Sequence, residues 1–403
     1  MSNVQGTDCR KLTPDEILQL VSLQSFVFQF IPDEAKIREK IGSGKLSGDV
    51  TYGAVDQNGR VLAGMKVYPY SMWFDGHVVP MRGIAGVASA PEYRRRGNIR
   101  RIFAKVLEDA YESGAVFSHL YPFSFEYYRK FGYEHCGAAK RYTLPVAPAR
   151  GFRQTGAAHA FAADDPARGR LIEVYEAFAS RHNLMLSRAE TGWEQEGWDK
   201  VLDVPLFGTH RVYYWTDASG AVKSWARFRK DGGELRISDL VWTDQESMLG
   251  ILQFLGMFDG AAEKLVLTAS PELVPELYWN EAYAGVAYDW LGMSRVVNVR
   301  RALELMRKPG GEGRFSVRVL DDFAGWNSGV YEVEYGGGEC AVKVSEKALG
   351  ADVEVPERAL VQMILGVYGF EQTSRKSDVS VNGNARTLEK VFCGKNVLIT
   401  DHF

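Results

Sequence analysis

The sequence predicts an α/β protein with mixed α+β sheets, divided into several domains. Three observations lead to this fold class. The 403 residues exceed one ordinary hydrophobic core, and 46% of them are hydrophobic. The first third of the chain has the pattern of helices, then antiparallel hairpins, then a strand–helix–strand unit. A similar order of a helix, hairpins, a helix and a strand recurs in the middle of the chain.

The first predicted element is an amphipathic helix that begins at Pro14. Thr13-Pro14-Asp15-Glu16 has the pattern of a capping box with proline at the first helical position. The expected buried face consists of Ile17, Leu20, Val21 and Phe28. A second, short helix is predicted after Pro32.

Short strands joined by tight turns are predicted next. Asn58-Gly59 and Asp75-Gly76 are typical of two-residue hairpin turns, because these residue types tolerate positive φ. The strands expected beside these turns span residues 50–55, 61–68, 72–74 and 78–81. The sequence therefore predicts an antiparallel meander before residue 83.

A strand, a basic loop, a helix and another strand are predicted between residues 83 and 121. Gly83–Ser89 is an apolar run of small residues that suits a buried strand, and Pro91 ends it because proline has no N–H. Arg94–Asn98 forms the loop. The following helix has its apolar residues at helical spacing: Ile99, Ile102, Phe103, Val106 and Ala110. Ser113-Gly114 ends this helix, and residues 115–121 form the next strand.

The first turn of that helix is suited to binding phosphate. A helix N-terminus exposes four unpaired N–H groups at the positive end of the helix dipole, and Gly97 keeps the backbone accessible. A nucleic-acid patch is disfavoured, because 48 basic residues against 51 acidic ones and a pI near 6.2 give no broad positive field. A coenzyme that carries phosphates is therefore favoured over both nucleic acid and a merely solvated basic face.

These residues resemble the coenzyme A signature of the GNAT N-acetyltransferases, Arg/Gln-x-x-Gly-x-Gly/Ala. Arg94 and Gly97 stand at its first and fourth positions, and Ile99 stands where Gly or Ala is usual. This departure resembles the Eis-like (enhanced intracellular survival) branch, whose loop reads RRRG followed by two bulky apolar residues, although Asn98 is polar. The segment YRKFGY, which begins at Tyr128, is also similar to that branch.

The resemblance implies that acetyl-CoA is the co-substrate, with no metal. It places the pantetheine arm along Val87, Ala88 and Ser89, in a V-shaped slot where the fourth strand splays from the fifth. The phosphates are expected at the basic loop and the first helical turn, whose residues are Arg94, Arg95, Arg96, Gly97, Asn98 and Ile99.

Acetyl transfer to an amine needs an acid for the departing thiolate and a base for the attacking ammonium. The resemblance implies that Tyr128 is the acid, and a phenol that titrates near 10 keeps its proton at neutral pH. Residues 81–89 contain no carboxylate to act as the base. His119 and Glu126 are open candidates, although a lone histidine among apolar residues is more often part of the core.

The end of the chain, VLITDHF, is apolar almost to its last residue, which suggests that a final Val-Leu-Ile strand docks onto the protein. In Eis-like enzymes the terminal carboxylate is the catalytic base, and the resemblance assigns this role to Phe403. An α-carboxyl group ordinarily titrates near 3.5, so burial or a relaying water is needed to make it an effective base.

The resemblance also implies three domains: 1–145, a catalytic GNAT domain with the acetyl-CoA site; 146–290, a degenerate GNAT-like domain; and 291–403, a sterol-carrier-like domain. In the middle domain TDQESMLG has acidic residues instead of arginines and no glycine loop, so it is expected to repel a pyrophosphate. The strands expected there span 211–216, 222–228, 235–242 and 264–268, with helices around 171–178 and 246–258. In the last domain strands are expected at 315–320, 329–335 and 340–344, with a helix at 357–368.

The expected function is acetyl transfer to an amine of a small molecule, aminoglycoside-like or polyamine-like, or to an exposed lysine. The alternative is a non-catalytic acyl-CoA or lipid-binding protein. No signal peptide or membrane span is predicted, and widely spaced cysteines argue against disulfides and zinc, so a cytoplasmic location is expected. The resemblance implies a homo-oligomer, a hexamer.

Overall fold

The computed structural model describes residues 7–44, 50–189, 197, 198, 201, 202, 208–281, 285–345 and 350–403. The strands in these ranges are β1 Thr7–Lys11, β2 Thr51–Asp56, β3 Val61–Phe74, β4 His77–Ser89, β5 Phe117–Leu120, β6 Glu134–His135, β7 Ala138–Pro145, β8 Gly156–Ala160, β9 His210–Asp217, β10 Val222–Asp231, β11 Glu234–Trp242, β12 Lys264–Thr268, β13 Gly285–Trp290, β14 Met293–Val296, β15 Gly313–Leu320, β16 Gly329–Gly336, β17 Glu339–Ser345, β18 Val353–Pro356 and β19 Ser380–Val381. The helices are α1 Pro14–Phe28, α2 Glu34–Gly42, α3 Asn98–Glu112, α4 Phe125–Arg129, α5 Arg168–Ala179, α6 Gln245–Gly256, α7 Val299–Leu305, α8 Glu357–Leu365, α9 Phe370–Thr373 and α10 Ala385–Val391.

Three mixed sheets organise these elements. The first has the strand order β1-β2-β3-β4-β5-β14-β6, the second β13-β7-β12-β11-β10-β9-β8 and the third β17-β16-β15-β18-β19. Each sheet has one parallel pair of strands among antiparallel ones: β4–β5, β11–β12 and β15–β18. The predicted α/β class with mixed sheets is confirmed. None of the helices in the described ranges has the length and apolar character needed to cross a membrane.

The helix predicted from the capping box is α1, and its cap is formed. The backbone N–H of Thr13 donates to Oε2 of Glu16 at 2.8 Å. Ile17 and Leu20 are buried against the first sheet, as expected. Phe28 was expected on this buried face, but it is the last residue of the helix and 52% of it is exposed.

Strands β3 and β4 form one long hairpin, where shorter separate strands were predicted. They contain 14 and 13 residues and pair from Ala63↔Ser89 to Phe74↔His77. The two turn residues, Asp75 and Gly76, have φ of 50° and 86°, which matches the twist of the hairpin. Cross-strand pairing therefore carries both strands past their proline residues.

Strand exchange links the first two sheets. β7, which lies before the expected boundary at residue 145, pairs with β12 and β13 of the second sheet. β14, which lies after the expected boundary at residue 290, is inserted between β5 and β6 of the first sheet. The sheets therefore do not end at the expected boundaries, and the three-way division at those residues stays a prediction.

A buried ion pair joins the first sheet to the C-terminal part of the chain. Arg295 of β14 is fully buried, and its Nη2 donates to Asp321 at 2.5 Å while its Nη1 donates to the carbonyl of Phe131. Glu357, the first residue of α8, accepts the backbone N–H of Val296 at 3.0 Å. These contacts hold the last 80 or so residues against the first sheet, within reach of its strand ends.

The last residues of the chain are docked, but they do not form the predicted strand. Val397 makes a single bridge to Asn183, and the N–H of Leu398 donates to the carbonyl of Asn183 at 3.0 Å. Val397, Leu398 and Ile399 are all buried. Backbone pairing stops after this one bridge. The tail is therefore held by the burial of these three side chains and not by a strand ladder.

Candidate active site

The first sheet opens into a slot between β4 and β5. The two strands pair in parallel from Met81↔Phe117 to Ile84↔Leu120, and there the pairing ends. β4 continues to Ser89, so residues 85–89 have no strand partner on the side of β5. The expected splay is therefore present, but it begins after Ile84 and not at the start of the predicted strand, residue 83.

A bulge in β4 marks the point where the strands part. The register against β3 shifts between Gly64 and Lys66, and Gly86 has a φ of 59°. The carbonyl of Gly86 accepts a hydrogen bond from Nε2 of Gln24 in α1 at 2.6 Å. The bulge turns the backbone of Val87, Ala88 and Ser89 along the slot, in the position expected for pairing with a pantetheine arm.

The basic loop ends at an open helix N-terminus. Gly97 caps α3 with a φ of 79°, and no side chain in the described ranges accepts the first N–H groups of this helix. A Cβ atom added to Gly97 would meet nothing within 4 Å, so the space in front of the helix is free. Arg94, Arg95 and Arg96 are exposed around it. This arrangement fits a pyrophosphate, which would receive backbone donors and cationic side chains together.

Asn98 and Ile99 begin α3 in different roles. Asn98 is 3% exposed, and its Oδ1 accepts from Nη2 of Arg101 at 2.6 Å, while its buried Nδ2 has no partner among the described residues. The free Nδ2 of Asn98 could therefore donate a hydrogen bond to an acceptor atom of a bound ligand. Ile99 is buried in the core between α3 and the sheet. Its bulk therefore points away from the open N-terminus, which explains how the loop accommodates it in place of Gly or Ala.

Tyr128 lies on α4 and is 3% exposed. Its ring packs against Phe103 and Phe123, with centroids 6.2 and 5.4 Å apart. Burial raises the pKa of the Tyr128 phenol above its ordinary value of 10. The hydroxyl makes no hydrogen bond with the described part of the chain, and it is not among the fully enclosed polar atoms. It is therefore a protonated group that is available to a ligand.

Phe403 lies at the inner end of the slot. Its ring is 5.0 Å from that of Tyr70, 5.7 Å from Tyr121 and 5.9 Å from His119. A Cβ atom added to Gly83 would stand 2.7 Å from Cε2 of Phe403, so Gly83 leaves the room that the last residue occupies. The structure thus brings the end of the chain to the point where β4 and β5 are about to part.

A buried ionic anchor holds the tail two residues before its end. Nη2 of Arg188 donates to Asp401 at 2.8 Å and to Asp239 at 3.0 Å, and all three residues are at most 7% exposed. The hydroxyl of Tyr121 donates to the carbonyl of Asp401 at 2.6 Å. No local sequence signal predicts Arg188 or Asp401, because the anchor joins residues that are 213 positions apart.

The two alternative bases are placed less favourably. His119 is fully buried, its Nδ1 is 2.7 Å from Oγ of Ser294, and its Nε2 has no partner among the described residues. Burial lowers the pKa of His119 to about 3, so it is neutral at pH 7 and a weak base. Glu126 is exposed on α4, where water stabilises its charge.

The corresponding helix of the second sheet cannot offer the same anion site. The carboxylate of Asp244 accepts the N–H of Ser247 at 2.8 Å and so occupies the N-terminus of α6. A negative charge already stands where a phosphate would have to bind. Within the described ranges, no group of three or more His, Cys, Asp or Glu residues is arranged to hold a metal ion.

We expect Gly97→Asp to weaken the binding of coenzyme A about tenfold or more. The substitution places a negative charge beside the phosphate donors, and a residue with a side chain is strained at the positive φ of this position. Titration calorimetry with coenzyme A measures this loss. Gly97→Ala is the matched control, since it introduces the same backbone strain without the charge. Unchanged affinity in Gly97→Asp would show that the phosphates bind elsewhere.

Comparison with known protein families identifies one domain near each end of the chain. Residues 8–136 match the model of an acetyltransferase (GNAT) domain, and residues 299–399 match that of a sterol carrier protein domain. An uncharacterized N-acetyltransferase of Streptomyces griseus is 24% identical over 415 residues, which cover 96% of each chain.

Solved structures share the whole fold. A probable N-acyltransferase from Enterococcus faecalis superimposes with a TM-score of 0.83 at 20% identity, over 98% of this chain and 100% of its own. Eis1 from Mycobacterium abscessus gives a TM-score of 0.77 at 20% identity, with the same coverage. Together with the open helix N-terminus and the splayed strands, these matches show that the chain contains an acetyltransferase (GNAT) domain followed by a C-terminal sterol carrier protein domain, and that it shares its overall fold with Eis1.

Proposed function

We propose that the protein transfers the acetyl group of acetyl-CoA directly to an amine, either of a small molecule or of an exposed lysine. The observation that carries this proposal is the docking of Phe403 at the inner end of the coenzyme slot. A chain terminus that is anchored by buried charges and inserted between aromatic rings has a fixed position, which a catalytic group requires.

Acetyl-CoA would be held by the groups that face the slot. The free backbone edge of Val87, Ala88 and Ser89 suits the pantetheine arm, and the first turn of α3 with its exposed arginines suits the phosphates. Bound there, acetyl-CoA supplies a thioester to the site.

Two groups of this chain would move the protons. The Phe403 carboxylate accepts a proton from the acceptor ammonium, and the free amine attacks the thioester carbonyl. A C–N bond forms, the C–S bond breaks, and Tyr128 donates its phenolic proton to the departing thiolate. The new amide nitrogen loses its surplus proton, which restores the Tyr128 phenol, and the Phe403 carboxyl group returns its proton to water. The raised pKa of Tyr128 supports this role, because the phenol stays protonated at neutral pH. The low pKa of His119 disfavours the alternative base.

Release of free thiol from acetyl-CoA, followed with a thiol-trapping reagent, tests the proposal. The assay is run with a panel of aminoglycosides, polyamines, amino acids and lysine-containing peptides. We expect thiol release that depends on one class of amine. A non-catalytic acyl-CoA-binding protein would bind the coenzyme without amine-dependent release. The hexameric assembly expected from the resemblance and the cytoplasmic location expected from the sequence stay predictions.

A further inference from the structure

A lysine lies on the sheet face that the tail covers. In the β3–β4 hairpin, Lys66 pairs with Ala85 and Tyr68 pairs with Gly83. Alternate residues of a strand point to the same face, so Lys66 and Tyr68 share the face on which Phe403 packs over Gly83. Lys66 is two residues from Tyr68, roughly 7 Å along the strand. It therefore stands beside the point where β4 leaves β5 and where the thioester would lie.

Lys66 has no counter-ion among the residues that the structure describes. Its side chain is half-buried, and it makes neither a salt bridge nor a hydrogen bond with any residue in the described ranges. Burial lowers the pKa of Lys66, and the positive charge of Lys40 lowers it further. Lysines that lose water in a fold are normally paired, because a desolvated charge without a partner is costly. A cation left unpaired in a cleft points to an anion that arrives with a ligand.

Two acidic residues at the start of α2 already have partners. Asp33 caps α2 by accepting the N–H of Lys36 at 3.1 Å, and Glu34 pairs with Arg38. Asp401, whose charge acts on Tyr70, is paired with Arg188. Among the described residues, those whose rings pack against Phe403 are Tyr70, His119 and Tyr121, and none of these is acidic.

We propose that the preferred acceptor is an amine that also carries a carboxylate, as amino acids do, and that Lys66 binds this carboxylate while the amine faces the thioester. The inference rests on the acetyl transfer proposed above and narrows its substrate class. A polycation such as an aminoglycoside or polyamine brings further positive charge toward Lys66 and is disfavoured. The aromatic rings of Tyr68, Tyr70 and Phe403 suit an apolar body on the same acceptor.

Acceptors that differ only in whether they carry a free carboxylate can test this inference. L-phenylalanine, L-phenylalaninamide and phenethylamine form one series, and L-lysine and cadaverine form a second. We expect kcat/KM for the acid to exceed that for its amide or decarboxylated analogue about tenfold or more, the usual scale of a charge-assisted hydrogen bond. In Lys66→Gln this ratio should fall to near one, and Lys66→Glu should invert it. Lys66→Arg keeps the positive charge and should keep a preference for the acid.

Coenzyme A titration and a thermal melt of each variant separate acceptor binding from coenzyme binding and from folding. If the wild-type enzyme has the same kcat/KM for the amides and amines as for the acids, the inference is wrong, but the proposed acetyl transfer is still supported. Equal losses for acids and amides in Lys66→Gln overturn it as well, because such a lysine would only support the fold. If no amine of any class releases thiol, the proposed function itself is wrong, and this inference is wrong with it.

Discussion

Extending the chain by a few residues beyond Phe403 should lower acetyl transfer about 100-fold or more, the usual scale for loss of a general base. The extension converts the terminal carboxylate into a peptide bond but leaves every side chain in place. The ring contacts of Phe403 with Tyr70 and His119 show that the last residue is packed inside the site and not on its surface. Steady-state rates of thiol release, compared between tagged and untagged protein, measure the effect.

Two further variants separate the carboxylate from the ring. Deleting Phe403 moves the carboxylate back by about 3.5 Å and should be as damaging as the extension. Phe403→Leu keeps the carboxylate in place and removes only the aromatic ring, so it should retain much more activity than the deletion. All three proteins should melt close to wild type, because a single terminal residue contributes little to a core of this size. A C-terminally extended protein with full activity would refute the terminal base and return His119 and Glu126 to consideration.

The tail can serve this role because the anchor before it is buried. Arg188 holds Asp401 and Asp239 at once, and its guanidinium lies 4.1 Å from the ring centroid of Tyr175. Breaking the Arg188–Asp401 ion pair would leave a buried charge without its partner, which is costly. The tail is therefore held firmly in place. Because Arg188 lies between β8 and β9, two strands of the second sheet, the middle of the protein takes part in placing the proposed base.

The structural features of the proposed coenzyme site could be predicted because their sequence signals are local. Gly97 adopts the positive φ that glycine allows, and α3 begins immediately after it, as the spacing of its apolar residues predicts. Several strands of the second and third sheets, among them β10 and β16, could be predicted from alternation and turn residues in the same way. These features depend on residues within one or two turns of each other, where sequence patterns are informative.

The rest of the site depends on contacts between distant residues. The insertion of β14 next to β5 brings Ser294 to His119 across 175 positions, and no periodicity in either strand encodes this pairing. The same holds for the unpaired state of Lys66, which a sequence cannot distinguish from that of a solvated lysine. The single bridge at Val397 replaces the predicted strand for a similar reason, because a ladder needs a partner strand that only the tertiary fold supplies.

Tyr128→Phe should lower turnover about 100-fold or more, with coenzyme affinity and stability close to wild type. The phenylalanine ring preserves the packing against Phe103 and Phe123, and the lost hydroxyl makes no hydrogen bond with the described residues. The variant therefore removes the proposed proton donor without leaving a buried polar group unpaired, so a loss of rate cannot be attributed to misfolding.

Tyr127→Phe is the matched control for this variant. Tyr127 is the neighbouring residue on α4, is half-buried, and has its ring 5.2 Å from that of Tyr128. Turnover with a good acceptor is measured for both variants from pH 6 to pH 9, as is coenzyme binding. Burial raises the pKa of Tyr128, so the acid stays protonated over this whole range, and the ratio of wild-type to Tyr128→Phe rates should not vary with pH. Turnover of Tyr128→Phe within about twofold of wild type would make Tyr128 a core residue, and another group would then have to protonate the thiolate.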